Sequence, residues 1–311
     1  FFFLIRCIIM FRFEREQKVF QIGNVMIGGQ PGEYPTVMIG SIFYSKDKLV
    51  KDPIRGEFDE EAAITLLNME AEMSERTGLP RIIDVLGETS DALCKYIDFV
   101  ADHTDAPFLI DSTSPNVRIE ALKHVEEVGL IDRAIYNSID EGIKEAEIEA
   151  LKASKIKSVV ILLFSSKYIM PKDRLKMLNE GKNLIKIAEE CGLEKVLLDP
   201  GVLDVPSVSW TSQIIYRIKQ ELGYPAGCAP SNAMYMWLRK KKMPSPCFEA
   251  CGANILALPI MMGANFIIYG PIKNASWVYP ACATINAMIA YHVRTLGVVP
   301  KMKNHPLYKI F

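Results

Sequence analysis

The sequence lacks an excess of charge of either sign, and this absence limits what it can bind. Its 36 basic and 37 acidic residues give a formal net charge of -1. Such a chain has no long-range field to attract a polyanion, so we expect no nucleic-acid binding. The one dense basic run, Arg239 to Lys242, ends a helix-like stretch, where cations complement the helix C-terminus; a phosphate-binding patch is the alternative.

Histidine is scarce, and the cysteines form no recognised metal-binding motif. Seven cysteines, an odd number scattered through a long chain, do not resemble the dense disulfide framework of a small secreted domain. They favour a reducing cytoplasm. Cys247 and Cys251 share a helix-like stretch, but no CxxC or His-x-Cys element accompanies them. We therefore predict structural thiols and no bound metal.

The sequence also lacks an apolar run long enough to span a bilayer, which takes ~20 residues. Its first ten residues, FFFLIRCIIM, are apolar but carry no signal-peptide cleavage site, and the polar stretch FRFEREQKVF follows Met10. We expect residues 1–9 to be upstream sequence translated from a misplaced start codon. An apolar arm that packs on a partner is the alternative.

What the sequence does contain is a repeated alternation of apolar runs and amphipathic, helix-length stretches. The segment VFQIGNVMIGG alternates around Gly23 and Asn24 and predicts a short β-hairpin. Eight apolar runs follow, at residues 36–43, 81–87, 106–112, 132–138, 158–164, 195–201, 224–229 and 265–271. Strand and helix in alternation, repeated eight times, predict an α/β fold of the (β/α)8 TIM-barrel type.

The same pattern favours one domain. No linker rich in Ser, Gly or Pro divides the chain, so we expect residues 10–311 to form a single barrel, with 44–58 as a long first βα loop. The tail HPLYKIF should fold back onto the barrel to cover its apolar side chains. A doubly wound open sheet is the weaker alternative, because no GxGxxG follows the first run.

Polar residues recur at the ends of the apolar runs, where a (β/α)8 barrel carries its chemistry. They are Asp84, Asp111-Ser112, Asn137-Ser138, Asp199-Pro200 and Ser231-Asn232. A carboxylate there costs several kcal/mol to desolvate unless something pairs with it. Helix capping is the structural alternative. For Ser114 and Ser231, capping and a binding role are equally well supported by the sequence.

Carboxylates and carboxamides facing one cavity suit a ligand that is recognised through hydrogen bonds. A flat aminopyrimidinone is such a ligand, since its exocyclic amine and adjacent ring N–H form a paired donor edge that a carboxylate accepts bidentately. No histidine stands at a strand end and no Ser-His pair is apparent, which also suits a ligand recognised through hydrogen bonds.

Several segments of the sequence resemble a known family. The segments GGQPGEYPTVMIGSIFY, YIDFVADHTDAPFLIDSTS, RAIYNSI, LLDPGVLDVPS, YPAGCAPSNA and IIYGPI are similar to the H-subunit family of tetrahydromethanopterin S-methyltransferase. That family includes bacterial methylcorrinoid:tetrahydrofolate methyltransferases, and the likeness covers the chain from about Phe11 onward. It implies a pterin-binding barrel that moves a methyl group between N5 of a tetrahydropterin, either tetrahydrofolate or tetrahydromethanopterin, and the cobalt of a corrinoid protein.

The resemblance also implies the roles of individual residues. Asn232 is the candidate catalytic residue, as the contact to N5. The residues expected to bind the pterin are Asp84, Asp111, Ser112, Asn137, Asp199 and Ser231. One departure concerns the position after Asp111-Ser112, where distant relatives have Asn and this chain has Ser114 and then Asn116. A homodimer in the cytoplasm, free or peripheral to a membrane complex, is expected.

Three other functions remain open from the sequence. A zinc-thiolate methyltransferase would need His and Cys ligands at the barrel mouth, where only Cys228 stands. A dihydropteroate synthase would need basic residues for pyrophosphate, and the later strand ends offer little beyond Lys273. A barrel with a purely structural role in a larger complex is the alternative outside enzymology.

Overall fold

Eight parallel strands form the main sheet of the described chain and close into a barrel. A computed structural model describes residues 11–44, 46–179, 183–240, 242 and 244–311, so the predicted extension at 1–9 lies outside the described residues. The barrel strands are β1 (Val37–Ile42), β2 (Arg81–Leu86), β3 (Phe108–Asp111), β4 (Ala134–Ile139), β5 (Ser158–Leu162), β6 (Lys195–Asp199), β7 (Gly227–Cys228) and β8 (Phe266–Pro271). The predicted (β/α)8 barrel is confirmed.

Neighbouring strands follow the chain order, and the ends of the order meet. The sheet runs β6-β5-β4-β3-β2-β1-β8-β7. A parallel bridge between Leu198 and Ala226 then joins β6 to the start of β7 and closes the ring. β7 is only two residues long.

Helices surround the barrel between the strands. They are α1 (Glu60–Thr77), α2 (Ser90–His103), α3 (Pro115–Glu127), α4 (Glu145–Ala153), α5 (Pro171–Arg174), α6 (Lys176–Asn179), α7 (Leu184–Glu190), α8 (Val208–Glu221), α9 (Ser231–Arg239), α10 (Phe248–Met261), α11 (Ala275–Val293) and α12 (Pro306–Lys309). Local signals fix their ends: the Asp59 side chain accepts the Ala62 N–H at the start of α1, and Gly78 ends it with φ 76°. None of the described helices combines the length and apolar character needed to cross a membrane.

The predicted N-terminal hairpin closes the bottom of the barrel. Its strands, Val19–Ile22 and Val25–Gly28, pair antiparallel, and Ile22, Val25 and Ile27 join the same buried cluster as the inward residues of the barrel strands. Gly28 has φ 121°, and a Cβ there would lie 2.1 Å from the Lys18 carbonyl oxygen, so only glycine fits. The GGQPGE segment therefore belongs to the end of the barrel opposite the strand C-termini.

Two predicted peripheral features differ in detail. The loop at 44–58 contains a small antiparallel pair, Val50–Asp52 with Glu57–Phe58, which the sequence did not indicate. The tail does fold back as the short helix α12, but it is anchored by buried His305 and Pro306, while Tyr308 and Phe311 are 52% and 77% exposed. The prediction that the tail covers those two aromatic side chains is wrong, because a single helical turn can bury only one face.

Candidate active site

A layer of polar side chains crosses the barrel interior at the C-terminal ends of the strands. Strand side chains alternate between faces, so the residue two positions after an inward apolar residue also points inward. Ile39, Ile82, Leu109, Ile135 and Leu197 belong to the inner apolar cluster. Two residues further along each strand stand Ser41, Asp84, Asp111, Asn137 and Asp199. The apolar layer is thus covered by a polar one.

Four of these side chains form two hydrogen-bonded pairs on adjacent strands. Ser41 Oγ donates to Asp84 Oδ2 over 2.6 Å, and Asn137 Nδ2 donates to Asp111 Oδ2 over 3.0 Å. The backbone register places Ser41 beside Asp84 and Asp111 beside Asn137. The structure therefore brings the predicted residues Asp84, Asp111 and Asn137 together.

Asp84 and Asp111 affect each other's ionisation. Burial, and then the charge of Asp111, raise the pKa of Asp84 well above its usual range. Burial also raises the pKa of Asp111 to about 6, although hydrogen bonding with Asp84 and the charge of Arg118 oppose the shift. Asp84 Oδ1 is buried and accepts no hydrogen bond from an N–H or hydroxyl group of the described residues. Two carboxyls that disfavour each other's ionisation can share one proton, and the pair would then offer a ligand both a proton donor and acceptors.

This pairing predicts how stability depends on pH. Both folded pKa values lie above the unfolded ones, so the pair stabilises the fold fully at low pH and loses that contribution as pH rises through about 6. Asp84→Asn removes the like-charge repulsion, so its melting temperature should exceed that of wild type by a margin that grows from pH 5 to pH 8. Thermal melts of wild type, Asp84→Asn and the exposed-site control Asp102→Asn measure this. A margin that is constant across pH would contradict the shared proton.

Asp199 lies apart from this pair, at the end of β6. Its Oδ1 accepts the Gly201 N–H over 2.7 Å, and the side chain is buried. Burial raises the pKa of Asp199 to about 7, while the Gly201 hydrogen bond and the charge of Arg174 oppose the rise. The site thus contains one isolated carboxyl and one coupled pair, in different electrostatic surroundings.

The predicted serines make no side-chain caps. Ser112 Oγ accepts the Ser114 N–H over 3.3 Å, and Ser114 makes no side-chain cap bond to α3. Pro230, not Ser231, is the N-cap residue of α9. Ser231 instead packs against Gly270, where a Cβ would come within 2.6 Å of the Ser231 Cβ. Ser114 does occupy the N-cap position of α3, as the capping alternative expects, although its side chain makes no cap bond; for Ser231 the capping alternative is wrong.

The predicted catalytic residue, Asn232, lies in the first turn of α9, directly after the C-terminal end of β7. Its side chain is exposed and has no hydrogen-bond partner among the described residues. It is thus available to meet a ligand above the polar layer. Asn116 is likewise exposed, in the first turn of α3.

The sequence did not single out three side chains that shape the site. Ser41 stands in the run TVMIGSIF, and the signal was its polar side chain at a strand end. Arg118 Nη1 donates to the Ser112 carbonyl over 2.5 Å, and Arg174 Nη1 donates to the Gly201 carbonyl over 2.9 Å. Nothing local marks these two arginines, because each comes from a helical segment beside the strand end that it contacts.

The described residues contain no group of three or more His, Cys, Asp or Glu side chains placed to hold a metal. Cys228 is buried at β7, while Cys247 is exposed near the start of α10. Arg239 and Lys240 stand at the end of α9, as expected for cations at a helix C-terminus.

The structure is that of a (β/α)8 barrel protein with buried carboxyl groups at the C-terminal ends of its strands. Residues 15–301 match the family model described as the tetrahydromethanopterin S-methyltransferase MtrH subunit, and the chain belongs to that family. The family member from Methanopyrus kandleri is 38% identical over 94% of this chain and 97% of its own length. The member from Methanothermobacter thermautotrophicus is also 38% identical, over 97% of this chain and its own full length. Both relatives carry the name of the H component of tetrahydromethanopterin S-methyltransferase.

Solved structures share the fold at low sequence identity. Dihydropteroate synthase from Xanthomonas albilineans, in complex with 7,8-dihydropteroate, superposes with a TM-score of 0.57 at 16% identity, over 91% of this chain and 99% of that chain. At this identity the likeness establishes the barrel and nothing about activity.

Proposed function

We propose that this chain moves a methyl group between N5 of a tetrahydropterin and the cobalt of a corrinoid carried by a partner protein. The observation that carries the proposal is the inward polar layer of Asp84, Asp111, Asn137 and Asp199, in a chain of a methyltransferase family. A dihydropteroate synthase with the same fold binds a pterin product, which supports a pterin in this mouth.

The two kinds of carboxyl suit different atoms of a pterin. An ionised Asp199 would accept the exocyclic amine and the adjacent ring N–H, the paired donor edge. The Asp84–Asp111 pair, which keeps a proton, would donate to a ring acceptor, and Asn137 supports it through Asp111. Ser112 and Ser231, both buried beside strand ends, would shape the pocket around the ring.

Methyl transfer from N5 needs help because the leaving group would be an amine anion. A proton or strong hydrogen bond at N5 removes that difficulty. When the methyl passes from N5 to Co(I), the N–CH3 bond breaks, a Co–CH3 bond forms, and N5 takes up a proton. The protein positions the two reactants in line, and we place Asn232 at N5.

The direct test mixes purified protein with the methylated pterin and free cob(I)alamin as the acceptor. Formation of methylcobalamin is followed by its absorbance, once with methyltetrahydrofolate and once with methyltetrahydromethanopterin. Transfer with either pterin supports the proposal and identifies the pterin. Tight pterin binding without transfer in either direction would instead favour a purely structural role within a methyltransferase complex.

We also propose that residues 10–311 act as a single domain, in the cytoplasm, and that two copies form a dimer through α10 and α11. These two helices pack on each other, and their outer faces expose Leu258, Met261, Met288 and Tyr291. α11 contains no Asp, Glu, Lys or Arg. A two-fold interface places each patch against its own copy, so an uncharged apolar face suits a second copy better than a charged one would.

Sedimentation velocity at micromolar concentration should therefore show a dimer of wild type. Met288→Lys places two like charges at the interface and should give a monomer. Ile54→Lys, which changes an equally exposed apolar residue in the first βα loop, should remain dimeric. A wild-type monomer, or a dimer unaffected by Met288→Lys, would contradict this interface.

A further inference from the structure

Two buried arginines hold the backbone directly after two of the site aspartates. Arg118 Nη1 donates to the carbonyl of Ser112, the residue after Asp111. Arg174 Nη1 donates to the carbonyls of Pro200 and Gly201, the residues after Asp199. Each aspartate therefore has a cation behind the turn that follows it.

The two arginines differ in how their charges are balanced. Arg118 forms an ion pair with Glu147, Nη2 to Oε1 at 2.5 Å, and also contacts Tyr136 OH. Arg174 is 1% exposed and has no carboxylate within ion-pair distance among the described residues. The Nε atom of Arg174 is also buried, and it has no hydrogen-bond partner among the residues that the structure describes. Removing a guanidinium from water without a counter-charge is costly, so its electrostatic partner must lie further away.

That partner is Asp199, which Arg174 reaches through the turn between them. Gly201 donates its N–H to Asp199 Oδ1, and its own carbonyl accepts from Arg174 Nη1 and, over 2.6 Å, from Thr211 Oγ1. Gly201 has φ 72°, so the chain turns sharply at this point. The Gly201 carbonyl thus accepts two hydrogen bonds, and the Gly201 N–H donates to the Asp199 carboxylate.

We propose, on the basis of the proposed function, that Arg174 is a positioning residue for ligand binding, which orients Asp199 through the Gly201 turn and favours its ionised form, so that Asp199 accepts the N–H edge of the pterin. Arg118 also lowers the pKa of Asp111, but unlike Arg174 it has an ion-pair partner of its own, Glu147.

The groups that face Asp199 define its electrostatics. Among the described residues they are Arg174, from the segment after β5, and the Cys228 thiol, on β7; burial and the charge of Asp199 raise the pKa of that thiol far above its usual range, so it stays neutral. Burial lowers the pKa of Arg174, and the charge of Asp199 opposes this. Among the described residues, Arg174 is thus the one charge that favours the ionised form of Asp199, and its removal should raise the pKa of that carboxyl.

The test compares Arg174→Gln, which keeps hydrogen-bond donors but removes the charge, with Arg174→Lys, which keeps the charge. Arg217→Gln is the matched control, because Arg217 contacts the same segment through the Pro171 carbonyl but does not face Asp199. Carbon-13 NMR of aspartate carboxyls, with Asp199 assigned from Asp199→Asn, follows the titration in ligand-free protein. Arg174→Gln should raise the pKa of Asp199 by roughly one to two units, whereas Arg174→Lys and Arg217→Gln should leave it near the wild-type value.

Tetrahydrofolate affinity provides the second readout. Arg174→Gln should bind the pterin roughly tenfold more weakly at pH 7, and the difference should shrink at pH 9, where at least about half of Asp199 is ionised in either protein. A purely structural role would weaken binding equally at both pH values. An Asp199 titration that is the same in Arg174→Gln and Arg174→Lys would overturn the proposal.

The two readouts separate this proposal from the proposed function. The NMR titration needs no ligand, so it decides the role of Arg174 even if wild type binds no pterin. If wild type binds no pterin, the proposed function fails, whatever the titration shows. If wild type binds the pterin but Asp199 titrates normally in Arg174→Gln, the positioning role fails and the proposed function stands.

Discussion

Replacing Asn232 with alanine should lower the single-turnover rate of methyl transfer by roughly two to three decades while the pterin still binds. A contact made mainly in the transition state lowers turnover more than it lowers ground-state affinity. The structure removes the competing explanation that Asn232 starts α9, because Pro230 is the N-cap residue and the Asn232 side chain has no partner among the described residues. Its loss should change the free energy of unfolding by no more than about 0.5 kcal/mol.

The experiment measures the transfer rate at saturating pterin together with a melting curve. Asn254→Ala is a suitable control, since Asn254 is an exposed asparagine on the outer helix α10, where its side chain donates to the Ala250 carbonyl. It should leave the rate unchanged. A normal rate in Asn232→Ala, with or without a lower melting temperature, would remove Asn232 from the catalytic machinery.

Replacing Asp199 with alanine should weaken pterin binding by on the order of 2 kcal/mol, or roughly 30-fold, because two buried donors of the ligand would lose their acceptor. The protein itself should not suffer comparably. Since burial raises the folded pKa of Asp199 to about 7, its ionised form disfavours folding, and its stabilising contribution is lost as pH rises through that value. Asp199→Ala should therefore remain folded at pH 8.

The same pKa sets a pH dependence of binding. If the ionised carboxylate accepts the ligand, affinity in wild type should fall as pH drops below about 7, by roughly tenfold per unit. Asp199→Asn should bind weakly at every pH and lose that part of the dependence. Calorimetry from pH 5.5 to 8.5 measures both, with Glu88→Gln, an exposed carboxylate after β2, as the control. Unchanged affinity in folded Asp199→Ala would exclude Asp199 from the site.

Much of the fold and of the candidate site could be predicted from local patterns. Apolar runs separated by amphipathic stretches indicated eight strands, and the structure has eight. Polar residues at the ends of these runs were expected to face the barrel mouth, and Asp84, Asp111, Asn137 and Asp199 do face the interior at the strand ends. The reason is that strand periodicity is local. Once Ile82 or Leu197 faces the interior, the residue two positions further along must face it as well.

Other features were decided only when distant segments met. Ser41 became part of the site because β1 lies beside β2 in the closed sheet, 43 residues apart in sequence from Asp84. The coupling of Asp84 with Asp111, and the position of Arg174 behind Asp199, depend on burial by every surrounding element. Periodicity indicates which face of a strand or helix is buried, but not which other element packs against that face. The charge state of a carboxyl depends on those packing partners, because desolvation and Coulomb interactions act across space rather than along the chain.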